Sequence, residues 1–189
     1  MKTIFKVALL SIFLNTVLTS YGQRTNNAHE IKIDALSALV VPAMEISYEY
    51  ALNDYSSLGL STFFRFDSPT DKLYEKAAFT PYYRQYFFNN MQTRSKGLYM
   101  EAFFQHTTHA KNEQDIDDLE NVTKILKNTY KDLGIGFGGG AKFIANNGFN
   151  FDVGVGVGRN FRISSDSPLF NEGPDFFFRW GIQIGYKIF

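Results

Sequence analysis

Two histidines close together in the chain are the first candidates for chemistry. His106 and His109 flank Thr107 and Thr108. An imidazole can act as a general base for a serine or threonine nucleophile when a third group orients it. No serine partner can be assigned from the sequence, and a metal site on this pair lacks a third ligand of the usual kind. We expect polar contacts near one rim of the molecule, with no catalytic residues and no bound metal or cofactor.

A cluster of acids follows the histidines. Asp115, Asp117 and Asp118 resemble calcium ligands, but the glycine and the spaced glutamate of an EF-hand are missing. Acids at the start and lysines at the end of the stretch instead match the dipole of a short helix over 115–127. Its apolar face would pack on the rest of the molecule or contact a partner. That face would consist of Ile116, Leu119, Val122 and Leu126, with Ile125 at its edge.

The C-terminal segment shows which kind of element must position such residues. Residues 176–189 read FFFRWGIQIGYKIF. From Phe178 onward, apolar and polar residues alternate, with Trp180 and Tyr186 on one face and Arg179 and Lys187 on the other. A period of two indicates a β-strand. An entirely apolar face with aromatic residues, opposite a polar face, is typical of a strand that crosses a membrane between lipid and a barrel lumen.

Seven more strands can be assigned in the same way. The predicted strands cover 30–41, 44–52, 57–66, 79–88, 97–106, 132–144, 149–161 and 178–189. Short links alternate with long polar links such as 67–76 and 107–128, as in barrels with tight periplasmic turns and longer extracellular loops. The sequence therefore predicts an all-β fold, an eight-stranded antiparallel closed transmembrane β-barrel filled by its own side chains. Pro81 cannot donate to a ladder, so we expect it near the start of the fourth strand, at the membrane rim.

Nearly all charges within the predicted strands share the polar face. The predicted interior network consists of Lys32, Asp34, Glu45, Glu49, Arg65, Arg84, Glu101, Lys142, Asp152, Arg179 and Lys187. An unpaired charge in a narrow interior costs several kcal/mol. Near balance between bases and acids therefore predicts paired ions that fill the bore, and glycines in the sixth and seventh strands would make room for long side chains. A polar channel or binding site is the alternative.

A soluble barrel with the opposite orientation is a second structural possibility. Its apolar face would point inward and bind a lipophilic ligand. The apolar face of this chain is crowded with Phe, Tyr, Trp and Ile, which would overfill an eight-stranded interior. We therefore expect hydrocarbon outside and ions inside.

Composition and the N-terminal residues limit the classes of protein to which the chain can belong. The chain has 189 residues, no cysteine, 19 acidic and 19 basic residues, and 17% aromatic residues. One domain without disulfides is expected, and the charge balance argues against nucleic-acid binding. Residues 1–22 have the basic start, short apolar run and small terminal residue of a cleaved secretory signal. The barrel domain would then occupy 23–189.

Several short stretches resemble a family of small outer-membrane barrels of Bacteroidetes that is known only as a domain of unknown function. The matching stretches are 30–33, 45–49, 55–61, 80–87, 157–161 and 184–187. More distantly, the design is similar to the OmpA membrane domain and OmpX, and a terminal aromatic such as Phe189 is familiar in such barrels. The resemblance implies a fold and an outer-membrane location, and it implies no activity.

These observations predict a role without catalysis. We expect a monomer in the bacterial outer membrane, in contact with outer-membrane lipid, with a structural or surface-interaction function and a possible extracellular partner bound through 107–128. The alternatives are a barrel enzyme that modifies outer-membrane lipids, similar to a lipid A deacylase, with His106 and His109 as candidates, or a narrow channel.

Overall fold

The computed structural model of the chain describes residues 29–40, 42–67, 74–87, 96–116, 122–165 and 175–188. Within these ranges, side chains are described except at residues 38, 111–116, 122–128 and 165. The predicted export signal at 1–22 lies outside the described residues, as do Asp117, Asp118 and Phe189.

Eight antiparallel strands form one closed barrel in which neighbours in the chain pair and β8 pairs with β1. The strands are β1 (His29–Asp34), β2 (Ala43–Ala51), β3 (Ser56–Arg65), β4 (Tyr74–Phe87), β5 (Gly97–Ile116), β6 (Val122–Ile144), β7 (Phe149–Ser165) and β8 (Phe176–Lys187). A short helix, α1 (Ala35–Val40), follows β1. The predicted all-β closed barrel of eight antiparallel strands is confirmed. Among the described residues, no helix is long and apolar enough to cross a bilayer.

The two ends of the barrel carry different connections. One end, here the terminal end, holds the start of β1, the end of β8 and tight turns such as 145–148. Gly148 in that turn has φ of 89°, a conformation that L side chains rarely adopt. The opposite end, here the hairpin end, holds α1, the end of β5 and the start of β6.

Side chains alternate between a polar interior and an apolar exterior. On β2, Ser47 and Glu49 are fully buried, whereas Ile46 and Tyr48 are exposed. Every strand presents exposed apolar side chains, and on β8 Phe178 is 79% exposed. Examples in strand order are Ile33, Tyr48, Leu58, Phe79, Phe104, Phe137, Val155 and Trp180. The soluble alternative needs an apolar interior, and the described strands have the reverse arrangement.

The segment after β1 differs from the sequence prediction. The predicted first strand continues to residue 41, but β1 ends at Asp34 and α1 begins at Ala35. The Asp34 Oδ1 accepts hydrogen bonds from the backbone N–H groups of Leu36 at 2.8 Å and Ser37 at 3.1 Å. A carboxylate that caps the first free N–H groups favours helix over strand. As a result, α1 packs against β8 and β2 at the hairpin end.

The predicted loop at 107–128 and the predicted helix at 115–127 are wrong for the described residues. β5 continues to Ile116 and β6 begins at Val122, and the two strands stay paired from Thr107–Asp132 up to that end. An isolated helix of this length is marginal without packing, whereas β5 and β6 are already paired inside the barrel and need only continue that pairing. The hydrogen-bonded ladder between β5 and β6 therefore continues beyond the barrel as a long two-stranded ribbon.

β4 also starts earlier than predicted. It begins at Tyr74, so the end of the expected loop at 67–76 belongs to the strand. Pro81 lies well inside β4 rather than near its start, exposed on the outer face. The β4–β5 partners run from Phe79–His106 to Tyr82–Phe103, across Pro81. The missing N–H of proline is thus accommodated by a local gap in one ladder.

Candidate functional site

Glu49 on β2 is the centre of a buried ion cluster in the terminal half of the bore. Its carboxylate accepts hydrogen bonds from Lys32 of β1, from Arg84 of β4 at 3.0 Å and from Lys142 of β6 at 2.7 Å. Lys32 and Lys142 are 0% exposed, and Glu49 is 1% exposed. Bases from three strands therefore bind one carboxylate, and these four side chains together close the bore at this level.

Hydroxyl groups complete the coordination of the buried acids. Tyr86 and Ser57 donate to the Glu49 carboxylate at 2.6 and 2.7 Å. Tyr99 donates to Asp152 at 2.7 Å. Buried charges are tolerated when their remaining lone pairs are satisfied in this way. The tyrosines are part of the network because the inner faces of β4 and β5 carry them beside Arg84 and Glu101.

Asp152 and Glu30 balance the charge of the cluster. Asp152 of β7 accepts from Lys32 at 2.8 Å and from Arg84 at 2.5 Å. Glu30 of β1 lies 3.1 Å from the Lys142 Nζ. The bases Lys32, Arg84 and Lys142 thus face the acids Glu49, Asp152 and Glu30. We call these six residues the central network. The predicted network omits Glu30, although this residue has the same strand parity as Lys32.

A second layer of ions lies toward the hairpin end. Glu101 of β5 accepts from Arg84 at 2.6 Å and from Arg179 of β8 at 2.6 Å. Arg179 also donates to Glu45 of β2 at 2.9 Å and to Ser61 of β3 at 3.1 Å. Arg84 and Arg179 share Glu101, so the central network and this layer form one continuous chain of ion pairs along the bore.

Glycines of β6 and β7 leave space for aromatic rings. A Cβ at Gly154 would lie 2.6 Å from the Tyr99 hydroxyl, and one at Gly136 would lie 2.4 Å from the Phe103 ring. Both distances are shorter than real Cβ contacts. The glycines therefore let β5 place large side chains across the bore, and Tyr99 reaches Asp152 through this gap.

Two of the sequence-predicted network residues lie apart from this chain of ion pairs. Asp34 is buried and caps α1. Arg65 pairs with Asp67 at 2.6 Å near the hairpin end. Lys187 is buried at the terminal end, where it lies opposite Glu30 of the central network in the β1–β8 register. The remaining predicted residues, Lys32, Glu45, Glu49, Arg84, Glu101, Lys142, Asp152 and Arg179, are joined as described above.

His106 and His109 do not form a pair. They are three residues apart on β5, and such residues of a strand point to opposite faces. His106 is exposed, whereas the His109 Nε2 lies 3.4 Å from the Asp132 Oδ2. Burial lowers the pKa of His109, and Asp132 opposes that shift. Among the described residues, the His109 Nε2 has no hydrogen-bond partner, so no hydroxyl nucleophile is bonded to it.

A second ion pair accompanies His109 at the hairpin end. The Arg162 Nε donates to the Asp132 Oδ1, and Asp132 is 1% exposed. The sequence prediction includes neither residue, because both lie at or beyond the expected ends of the sixth and seventh strands. In the described parts of the chain, no group of three or more His, Asp or Glu side chains is arranged to hold a metal ion.

A cavity of about 250 Å³ opens inside the hairpin end, between α1 and the second ion layer. Its wall includes Glu75 of β4 and Gln105 of β5, whose Nε2 donates to the Glu75 Oε1 at 2.9 Å. We call this space the mouth cavity. The sequence prediction places Glu75 in a loop. A β-bulge between Glu75 and Ala77 changes the alternation here, so parity could not have assigned it.

Comparison with known protein families assigns the chain to a family but gives it no activity. The family model described as Protein of unknown function (DUF3575) matches residues 8–167. The chain belongs to this family. The match covers all strands except β8, and the family description supplies no activity. No curated protein and no solved structure matches the chain.

Proposed function

We propose that this family member is an integral outer-membrane barrel with a bore closed by ions, and that it serves a structural or surface-interaction role without catalysis. The supporting observation is the continuous apolar exterior of a barrel whose interior is ionic. Soluble monomers rarely expose contiguous apolar patches larger than a few hundred Å². Here every strand contributes exposed apolar side chains, a surface that hydrocarbon would cover.

The distribution of outer aromatic residues supports the same proposal. Tyr50 and Tyr186 lie toward the terminal end, where rings that carry a hydroxyl suit the interface between lipid and water. Phe176 and Phe178 lie toward the hairpin end, so exposed aromatic rings lie near both ends, as in the aromatic girdles of membrane barrels.

Outward-facing charges of the described strands lie toward the hairpin end. Lys76 and Lys131 are exposed beside Thr108 of β5, on the adjoining strands β4 and β6. Arg159 is exposed on β7, where its guanidinium lies 5.6 Å from the Phe161 ring. A charge facing hydrocarbon is costly, so these bases would mark one edge of the membrane band. Glu75 and His109 would then lie outside the membrane-spanning part, at the level of Lys76.

The ion chain supports a closed bore rather than an open channel. Central-network residues come from β1, β2, β4, β6 and β7 and meet at 2.5–3.1 Å. Beside them, a cavity of only about 30 Å³ lies against Arg84 and Asp152. Such a space holds about one water molecule. Continuous conduction would require the network to open.

Fractionation and conductance together test the proposal. The expressed full-length protein is expected in the outer-membrane fraction after a urea wash, and unheated samples should migrate faster than boiled samples on gels. Planar bilayers containing the purified protein should show no steady conductance. Recovery in the soluble fraction would overturn the membrane location, and stable unitary currents would overturn the closed bore.

A further inference from the structure

The mouth cavity contains an acid without a matching cation. Its two arginines are already engaged, since Arg179 binds Glu45 and Glu101 and Arg65 binds Asp67. Among the described residues, no base lies within ion-pair distance of Glu75. The only hydrogen bond described for the Glu75 side chain comes from Gln105. Glu75 is therefore the acid of the cavity wall that has no direct ion-pair partner among the described residues.

The side-chain carbonyl oxygen of Gln105 also lacks a hydrogen-bond donor. Its Nε2 is used by Glu75, and its Oε1 is buried without a hydrogen-bond partner in the described structure. The residue is only 8% exposed, and it lines the cavity. An unpaired buried acceptor destabilises the protein, so a ligand that donates a hydrogen bond to it relieves that cost. The Gln105 Oε1 needs a hydrogen-bond donor and ionised Glu75 attracts a positive charge, so one cationic donor group would satisfy both.

Apolar side chains line the same cavity as these two acceptors. Phe63 of β3 and Phe177 of β8 contribute rings, and Leu36 and Val40 of α1 contribute aliphatic groups. A primary ammonium group has three donors and the required charge, and an alkyl chain attached to it would contact the apolar walls. We propose that the mouth cavity binds a small organic cation through a primary ammonium group, held by Glu75 and Gln105.

The protonation of Glu75 makes such binding sensitive to pH. Burial raises its pKa to about 7, and the neighbouring Glu45 adds to the shift. Gln105, Arg179 and Arg65 act in the opposite direction. His109 also lines the cavity, and burial lowers its pKa, which favours the neutral imidazole. A bound ammonium must displace the proton from Glu75, so its affinity should rise between pH 6 and pH 8.

The test compares n-butylamine with n-butanol, which has the same chain without the charge. Titration calorimetry on the full mature protein folded in neutral detergent should show saturable binding of butylammonium at pH 8. Butanol should bind at least about tenfold more weakly, since a hydrogen bond from a charged donor to a carboxylate is stronger than one from a neutral hydroxyl. Glu75→Gln should weaken butylammonium binding about tenfold and abolish its pH dependence. Asp175→Asn removes an exposed acid at the same end, so it should leave the affinity unchanged.

A second variant protects the test against a folding defect. Gln105→Met keeps a long side chain, removes the unpaired Oε1, and should also weaken butylammonium binding. Gel mobility of unheated samples shows which variants are folded. The proposal is overturned if butanol binds as tightly as butylammonium, if neither binds, or if the wild-type affinity is the same at pH 6 and pH 8. It is also overturned if Asp175→Asn weakens binding as much as a folded Glu75→Gln or Gln105→Met variant does.

Discussion

The Lys142 Nζ lies 2.7 Å from the Glu49 Oε1, although the two residues are 93 positions apart. Lys142 belongs to β6 and Glu49 to β2, strands that do not pair with each other. This ion pair can form only after the barrel has brought the two strands to opposite sides of one bore. The central network is therefore a consequence of closure, and it stabilises the closed barrel over any open sheet.

Glu49 is the residue whose loss should damage the barrel most. Glu49→Gln would leave Lys32, Arg84 and Lys142 with too little negative charge in a buried site. Breaking a buried ion pair by removing one partner costs about 3–5 kcal/mol. The free energy of unfolding, measured by urea titration in detergent, should fall by about that amount. Asp175→Asn, an exposed acid outside the network, serves as the control and should change it by less than about 0.5 kcal/mol. Equal stability of the two variants would contradict the network.

Tyr99 and Gly154 should be energetically coupled. A Cβ at Gly154 would meet the Tyr99 hydroxyl at 2.6 Å, and its next contact is the Tyr99 Cζ at 3.7 Å. Gly154→Ala should therefore destabilise the wild-type protein by about 1–3 kcal/mol, the usual cost of overpacking. In a Tyr99→Phe background, the same substitution should cost much less, since the obstructing atom is gone. A double-mutant cycle from urea titrations measures the coupling, and purely additive effects would show that the hydroxyl is not the obstacle.

The outer face provides a test of membrane depth. Val155 is 67% exposed near the middle of β7, where the apolar band would be deepest. Val155→Arg should destabilise the barrel folded in lipid vesicles by about 2–4 kcal/mol. Ser164→Arg, exposed on the same strand near the hairpin end, should cost at most about 1 kcal/mol. If both arginines are tolerated equally in vesicles, the apolar exterior does not face hydrocarbon.

Glu75 should make the barrel less stable as pH rises. Its folded-state pKa of about 7 lies above the ordinary glutamate value of 4.5. Between these values, the folded state holds a proton that the unfolded state has lost, so stability decreases as pH increases through this window. Above pH 7 the loss is complete. The difference in urea midpoint between wild type and Glu75→Gln should therefore change between pH 5 and pH 8, in favour of the variant at pH 8. A constant difference would show that Glu75 titrates normally.

Alternation of residue types predicted the barrel because each strand separates an apolar face from a polar one. The same parity assigns Glu49, Arg84 and Asp152 to the inner face from the order of residue types alone. Parity does not predict which inner charges pair with each other, since Lys142 and Glu49 come into contact only once the barrel has closed. Parity fails at Glu75, where a bulge changes the alternation. The predicted first strand is too long because the Asp34 side chain caps α1.

The ribbon beyond the barrel should be dispensable for folding. β4 pairs with β5 only up to Tyr74–Ala110, and β7 pairs with β6 only up to Tyr130–Ser165. Beyond these pairs, β5 and β6 have no other described strand beside them, and a two-stranded hairpin adds little independent stability. Replacing residues 111–129 by a short Asn-Gly turn should keep the fast gel mobility of unheated samples and most of the unfolding free energy. If the shortened protein loses the fast-migrating band, the ribbon helps to close the barrel. If it keeps that band, the ribbon is free to serve contacts outside the barrel.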